Sequence, residues 1–121
     1  MFEKNFIAFI KAFSKVPVYS FYIPDGAPSK AFCFENAGSG TDTNYFDGSQ
    51  VRARTVKLTM SSTNIEDVFD DYELNKYIRN AHQMGEMKIL CARVMNFSDN
   101  MNPEQKIFER TYTIQVKYKE Q

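Results

Sequence analysis

The final stretch of the chain alternates strictly between apolar and polar residues, and this pattern constrains the fold more than any motif does. One parity is apolar apart from Arg110, and it consists of Phe108, Tyr112, Ile114, Val116 and Tyr118. The other parity is polar throughout, and it consists of Glu109, Thr111, Thr113, Gln115 and Lys117. Because successive side chains of a strand point to opposite faces, the pattern predicts a strand in an antiparallel sheet with one buried face.

An amphipathic helix over residues 2–14 is predicted to cover such a face. Its apolar residues recur at helical spacing on one side: Phe2, Phe6, Phe9, Ile10 and Phe13. Pro17 prevents the helix from continuing, because proline lacks an N–H group and disfavours helical backbone in the residue before it.

Four further segments, 16–23, 31–35, 50–61 and 87–95, are rich in β-branched, aromatic or other apolar residues and are predicted to be strands. The apolar residues of 50–61 change parity partway. Either a bulge near Arg54–Thr55 restores the register, or both faces of the strand are covered. Residues 97–103 are expected to form a polar loop.

Between the second and third predicted strands, residues 36–49 are dominated by Gly, Ser, Thr, Asp and Asn. This is long for a connection in a small domain, and we expect a protruding loop. Tyr45 and Phe46 lie within it, and exposed aromatic side chains on such a loop would suit a binding partner.

A second helix is predicted over 63–85, with Thr63 as N-cap, Glu66 completing a capping box and Gly85 ending the helix. It has two apolar faces. One carries Ile65, Val68, Phe69 and Tyr72, and the nearly opposite one carries Leu74, Tyr77, Ile78 and Ala81. Either the helix breaks near Glu73, or its halves pack against different structures, the second of them a neighbouring subunit.

These elements predict a single α+β domain spanning residues 1–121, a mostly antiparallel sandwich in the order α-β-β-(long loop)-β-α-β-β. Hydrophobic residues make up 43% of the chain, and fifteen Lys and Arg balance fifteen Asp and Glu. Zero net charge argues against a dedicated nucleic-acid-binding protein and favours association between copies. We expect a soluble chain, since no segment resembles a signal peptide or a membrane span.

No residue pattern points to catalysis, to a metal or to a cofactor. The single histidine, His82, lacks a marked partner, and the residues 42–48 depart from a calcium loop because position twelve is Ala53. The acidic residues of 66–73 are best explained as a solvated helix face. Cys33 and Cys91 are expected to be small buried hydrophobic residues with free thiols.

The chain contains in succession the segments Val16-Pro17-Val18-Tyr19, Ile23-Pro24-Asp25-Gly26-Ala27-Pro28 and Ala31-Phe32-Cys33-Phe34. In these segments, and in an element order that is similar over nearly the whole chain, it resembles the tail terminator (tail completion) proteins of long-tailed bacteriophages.

This resemblance implies a structural, non-enzymatic virion protein at the head–tail junction, assembled in the host cytoplasm. It implies a homo-hexameric ring that caps the tail tube and contacts a tail-tube protein and a head-connector protein. DNA would only pass through its lumen, and no membrane is involved. The interface residues expected for the ring are Tyr45, Phe46, Arg52, Arg54, Leu74, Tyr77 and Ile78. The alternative is a small α+β ligand- or peptide-binding module, which could be dimeric.

Overall fold

A seven-stranded sheet forms one layer of the protein, and helices cover one face of it. The computed structural model describes residues 2–13, 16–21, 30–39, 43–44, 50–104 and 106–119. In chain order the elements are α1 (Phe2–Phe13), β1 (Val18–Ser20), β2 (Ala31–Ser39), β3 (Thr43–Asn44), β4 (Gln50–Ser62), α2 (Ile65–Phe69), α3 (Tyr72–Arg79), β5 (Gln83–Met84), β6 (Met87–Asn102) and β7 (Ile107–Lys119).

The strand order is β1-β2-β4-β7-β6-β5, with β3 paired to β4. The β1–β2 pair is parallel, and the other pairs are antiparallel. The α+β class and the mostly antiparallel sheet predicted from the sequence are therefore confirmed. The described residues contain three helices instead of two, because the predicted second helix is divided.

The alternating residues at the end of the chain form β7, which lies in the middle of the sheet. Its apolar parity is buried as predicted, with Tyr112, Ile114, Val116 and Tyr118 each at most 1% exposed. Helix α1 packs on this face through its predicted apolar side: Phe2 stacks on Tyr118 at 5.3 Å between ring centroids, and Phe6 contacts Phe34 at 5.6 Å. On the other face of the sheet, the hydroxyls of Thr59 and Thr111 are hydrogen-bonded at 2.9 Å.

The parity change in β4 has a different origin from the predicted bulge. The pairing of β4 with β7 runs without a shift from Val51 to Ser62, and the irregularity lies in β2, between Asn36 and Gly38. Ala53 is buried although it lies on the face opposite to Val56 and Leu58. The second alternative, apolar residues buried on both faces of one strand, is therefore the correct one.

Strand β2 continues to Ser39, and Thr43–Asn44 pair with β4, so part of the predicted loop 36–49 is strand. Strand β6 is also longer than predicted: it continues through Phe97 to Asn102, where a polar loop was expected. These polar residues adopt strand conformation because β7 pairs with them and satisfies the hydrogen-bonding groups of their backbone.

The predicted helix over 63–85 begins one residue late and ends early. Asn64, not Thr63, is the N-cap, and its side chain accepts a hydrogen bond from the Glu66 N–H at 3.0 Å. Gly85 lies in the turn between β5 and β6 at a φ of +59°. A Cβ atom at this position would lie 2.5 Å from Oδ1 of Asn5, so the missing side chain lets α1 approach the turn.

Candidate interaction surface

The predicted interface residues of α3 face the protein's own core. Leu74 is 5% exposed and Ile78 is fully buried. Tyr77 is half-buried; its hydroxyl donates to the Phe9 carbonyl at 2.7 Å, and its ring stacks on Phe9 at 4.2 Å between centroids. The contacts of Tyr77 hold α3 against α1. Because Leu74 and Ile78 are buried, they leave almost no surface that a partner could contact.

Two other predicted interface residues, Arg52 and Arg54, lie in β4. Arg52 and Arg54 are half-buried near the start of β4, where the Arg52 Nε donates to the Gln50 side chain at 3.0 Å and an Arg54 Nη donates to the Ala53 carbonyl at 2.8 Å. Tyr45 and Phe46 lie outside the described residues.

The helix face that is exposed belongs to α2. Of the four apolar residues that share its predicted face, only Val68 is buried, while Ile65, Phe69 and Tyr72 are 39%, 53% and 64% exposed. Helix α2 ends at Phe69 and α3 begins at Tyr72, so the helix is interrupted at Asp70 and Asp71. The break allows α3 to turn its apolar side inward, and the exposed apolar side is thus the one that sequence periodicity would have placed in the core.

Exposed apolar residues from β6 continue this surface. Phe97 is 53% and Met101 is 47% exposed, and both lie in the second half of β6. A groove of about 310 Å³ runs between Phe69, Met101 and Phe108. We refer to the exposed residues as the apolar patch, which comprises Ile65, Phe69, Tyr72, Phe97 and Met101. Phe69 lies beside Met101 in this groove and beside Phe97 at Arg110, and exposed apolar surface that gathers in this way is typical of protein–protein contact sites.

Arg110 binds two carboxylates and also contacts two aromatic rings of the apolar patch. Its Nε and one Nη donate to the two carboxylate oxygens of Asp99 at 2.7 and 3.1 Å, and its other Nη donates to Asp71 at 3.0 Å. The guanidinium carbon lies 4.2 Å from the centroid of the Phe97 ring and 4.9 Å from that of Phe69. A planar cation suits both partners, since it matches a carboxylate with two parallel bonds and stacks on aromatic faces.

Tyr112 joins the same network, because its hydroxyl donates to the Asp71 carboxylate at 2.8 Å. Burial and this hydrogen bond raise the pKa of Tyr112 above its usual range. The hydrogen bonds from Arg110 lower the pKa of Asp99. Both pKa shifts favour the protonation states that these hydrogen bonds use, an ionised Asp99 and a neutral Tyr112.

Among the described residues no group of His, Cys, Asp and Glu side chains is placed to hold a metal ion. His82 is exposed and lies at the rim of an open groove of about 490 Å³ between α1 and α3, with Phe9, Phe13 and Tyr77 also lining it. Its backbone carbonyl accepts a hydrogen bond from the Ile89 N–H at 2.9 Å.

The cysteines differ in their surroundings. Cys33 is buried as predicted, and burial raises the pKa of its thiol, with Glu35 and Glu109 adding to the effect. Cys91 is exposed, which contradicts the prediction, because it lies on the face of β6 that the helices do not cover. Both thiols are free.

None of the helices within the described ranges combines the length and apolar character needed to cross a membrane. The fold and its surface together define a two-layer α+β protein whose most distinctive feature is a patch suited to contact with another protein.

No protein-family model and no curated protein matches the chain. Among solved structures, the fold is similar to that of a chain in the virion of native gene transfer agent (GTA) particle. The TM-score is 0.55, and the similarity covers 91% of this chain and 84% of that chain at 6% sequence identity. At this identity the similarity concerns the fold alone.

Proposed function

We propose that this chain is a structural virion protein of the tail-terminator type, which forms a ring that caps the tail tube and joins it to the head. The observation that carries the proposal is the similarity in fold, over 91% of the chain, to a chain of a gene transfer agent virion. The element order that resembles phage tail terminators in sequence points to the same class. In this role the protein needs no catalytic group.

The surface of the protein supports an assembling role. A monomer with a net charge of zero has little long-range repulsion between copies, and the apolar patch offers a surface that a neighbour would cover. A closed ring requires two different patches on each subunit, which meet head to tail. In this proposal Arg52 and Arg54 stay in the interface, as do Tyr45 and Phe46. The exposed residues of α2 and β6 take the place of the three α3 residues that pack within the protein, Leu74, Tyr77 and Ile78.

The partners are other copies of the chain in a hexamer, a tail-tube protein on one side and a head-connector protein on the other. DNA passes through the lumen during transfer. The location is the head–tail junction of a virion assembled in the host cytoplasm.

Co-purification with tail tubes tests this function. An affinity-tagged chain is expressed with the tail-tube protein of the same virion, and the material recovered on the tag is imaged by negative-stain electron microscopy. The proposal predicts tubes with a ring at one end. Recovery of the chain without tubes, or of tubes with the chain bound along their length, would contradict it.

A ligand- or peptide-binding module is the second candidate, and the groove between α1 and α3 favours it. Phe9, Phe13 and Tyr77 supply aromatic lining there. Titration of the protein with amphipathic peptides, followed by tyrosine fluorescence, tests this alternative. Saturable binding that is lost in Phe13→Ala, in a variant that remains folded, would favour the module over the ring.

A further inference from the structure

Among the described residues, several acidic side chains gather near one end of the sheet and several basic side chains near the other. Strands β4, β6 and β7 run along the same axis, so that Ser62, Phe108 and Met101 lie at one end and Arg52, Lys88 and Tyr118 at the other. From Arg52 to Ser62 a strand rises about 3.3 Å per residue, which separates the two ends by roughly 30 Å. This is several times the Debye length of about 8 Å at physiological ionic strength, so the two ends act as separate charged surfaces.

The end that carries the apolar patch is acidic. Helix α2 and its C-cap contribute successive carboxylates, and the first turn of α3 and the start of β7 add two more. We call this surface the acidic end, and it comprises Glu66, Asp67, Asp70, Glu73 and Glu109 together with the apolar patch. Lys30 lies 3.8 Å from Asp67, which offsets only part of this charge.

The opposite end is basic. In the sheet Lys88 is paired with Lys119, and Lys117 is paired with Ala53 on one side and with Cys91 on the other. Arg52 pairs with Tyr118 and lies on the other face of the same end. Leu90, which is 46% exposed, adds apolar surface beside Lys88. We call this surface the basic end, and it comprises Arg52, Lys88, Leu90 and Lys117.

We propose that the acidic end of one copy docks on the basic end of the next copy, so that the apolar patch is covered by a second copy of this chain. The inference rests on the proposed ring and names the two surfaces that meet in it. Opposite charges at opposite ends of a neutral chain make a contact between two different surfaces complementary, and they make acidic-to-acidic contacts repulsive. This arrangement is heterologous, as ring closure requires.

The size of the patch agrees with this use. With about 200 Å² for each large side chain and roughly half of it exposed, five side chains present on the order of 500 Å². A stable interface buries about 800 Å² per partner, in an apolar centre surrounded by a polar rim. The patch supplies the centre, and the carboxylates of α2 supply part of the rim.

Charge reversal at one end and then at both ends tests the contact. One variant carries Glu66→Lys and Asp70→Lys, and the other carries Arg52→Glu and Lys117→Glu. All four side chains are half-buried or exposed, and Asp71 and Arg110 are left intact. Native mass spectrometry at low salt should show that each variant loses assembly at least tenfold relative to the wild type.

Mixing the two variants should restore assembly, because each reversed end then meets a reversed end of opposite sign. The copies must alternate, so the mixture can close only rings with an even number of subunits. A chain with all four substitutions should also assemble by itself. Met101→Ser should weaken assembly, whereas Met95→Ser, at a residue that is 49% exposed on the same strand, is the matched control and should not.

The outcomes separate this inference from the proposed function. If the wild type forms rings and neither variant changes them, the ring stands and the proposed contact is wrong. If the wild type remains monomeric both alone and with the tail-tube protein, both proposals are contradicted. Loss of assembly in each variant without recovery in the mixture would also overturn the contact, since complementarity would then not be its cause.

Discussion

Arg110 on β7 and Asp71 at the helix break are joined by a hydrogen bond of 3.0 Å, although 39 residues separate them in the chain. The Asp71 side chain is 18% exposed and that of Arg110 is 12% exposed, so the pair is mostly removed from water. This contact ties the interruption between α2 and α3 to the central strand β7. On one side of the interruption α3 buries Leu74 and Ile78, and on the other α2 leaves Ile65 and Phe69 exposed.

Replacement of Arg110 by Lys should destabilise the protein by about 2 kcal/mol, because a lysine ammonium cannot bond Asp99 and Asp71 together and leaves a mostly buried carboxylate poorly paired. Urea unfolding followed by circular dichroism measures the free energy of unfolding. Arg93→Lys is the control. Arg93 is exposed and one of its Nη atoms bonds Gln115 at 3.3 Å, so its replacement should change stability by less than about 0.5 kcal/mol.

Two isoleucines test the assignment of the helix faces. Ile78→Ala should cost roughly 2–5 kcal/mol, because the side chain is fully buried and its removal leaves a cavity. Ile65→Ala, on the exposed face of α2, should cost less than about 1 kcal/mol in the unassembled protein. Equal effects, or the reverse order, would show that the two faces had been assigned wrongly.

These faces illustrate what the sequence could predict. The helical period of residues 65–81 correctly identified two apolar faces, and a break near Glu73 was one of two alternatives. Asp71, at the interruption between the helices, bonds Arg110 and Tyr112, which lie about forty residues further along the chain. Local periodicity contains no information on such a contact, and it does not show which of the two apolar faces packs on the sheet.

The second half of β6 was missed for a related reason. A strand is recognised in sequence when one of its faces is buried, since burial imposes the alternation. From Phe97 to Asn102 the side chains on both faces are exposed, so the segment has the composition of a loop. The final strand and α1 were predicted well, because each buries a single, regularly spaced face in the core.

Gly85→Ala should destabilise the protein by about 1–2 kcal/mol, since the left-handed backbone at a φ of +59° disfavours a side chain and the new Cβ would approach Asn5. The two causes can be separated by a double-mutant cycle with Asn5→Ala. That second change should relieve the contact but retain the backbone cost. If Gly85→Ala is neutral in both backgrounds, the close approach of α1 to the β5–β6 turn is wrong.

The free energy of unfolding should fall at alkaline pH because Tyr112 holds its proton more tightly in the folded state. Its pKa is raised in the folded state, so the folded chain holds the phenolic proton more tightly than the unfolded chain, whose tyrosines ionise near pH 10. The contribution is complete below pH 10 and is lost as the pH rises above it. Urea unfolding between pH 8 and 11 should show this decline in the free energy of unfolding. In Tyr112→Phe the free energy of unfolding should fall less steeply with pH. An unchanged slope would contradict the contribution of Tyr112.

The mass of the assembled wild-type protein tests the central claim most directly. Native mass spectrometry of the purified chain, with and without its tail-tube protein, should find a species of six copies of the 14.1 kDa chain. Negative-stain images of that species should show a closed ring. A chain that remains monomeric in both conditions, or that forms only a symmetric dimer, would contradict a ring-forming virion protein.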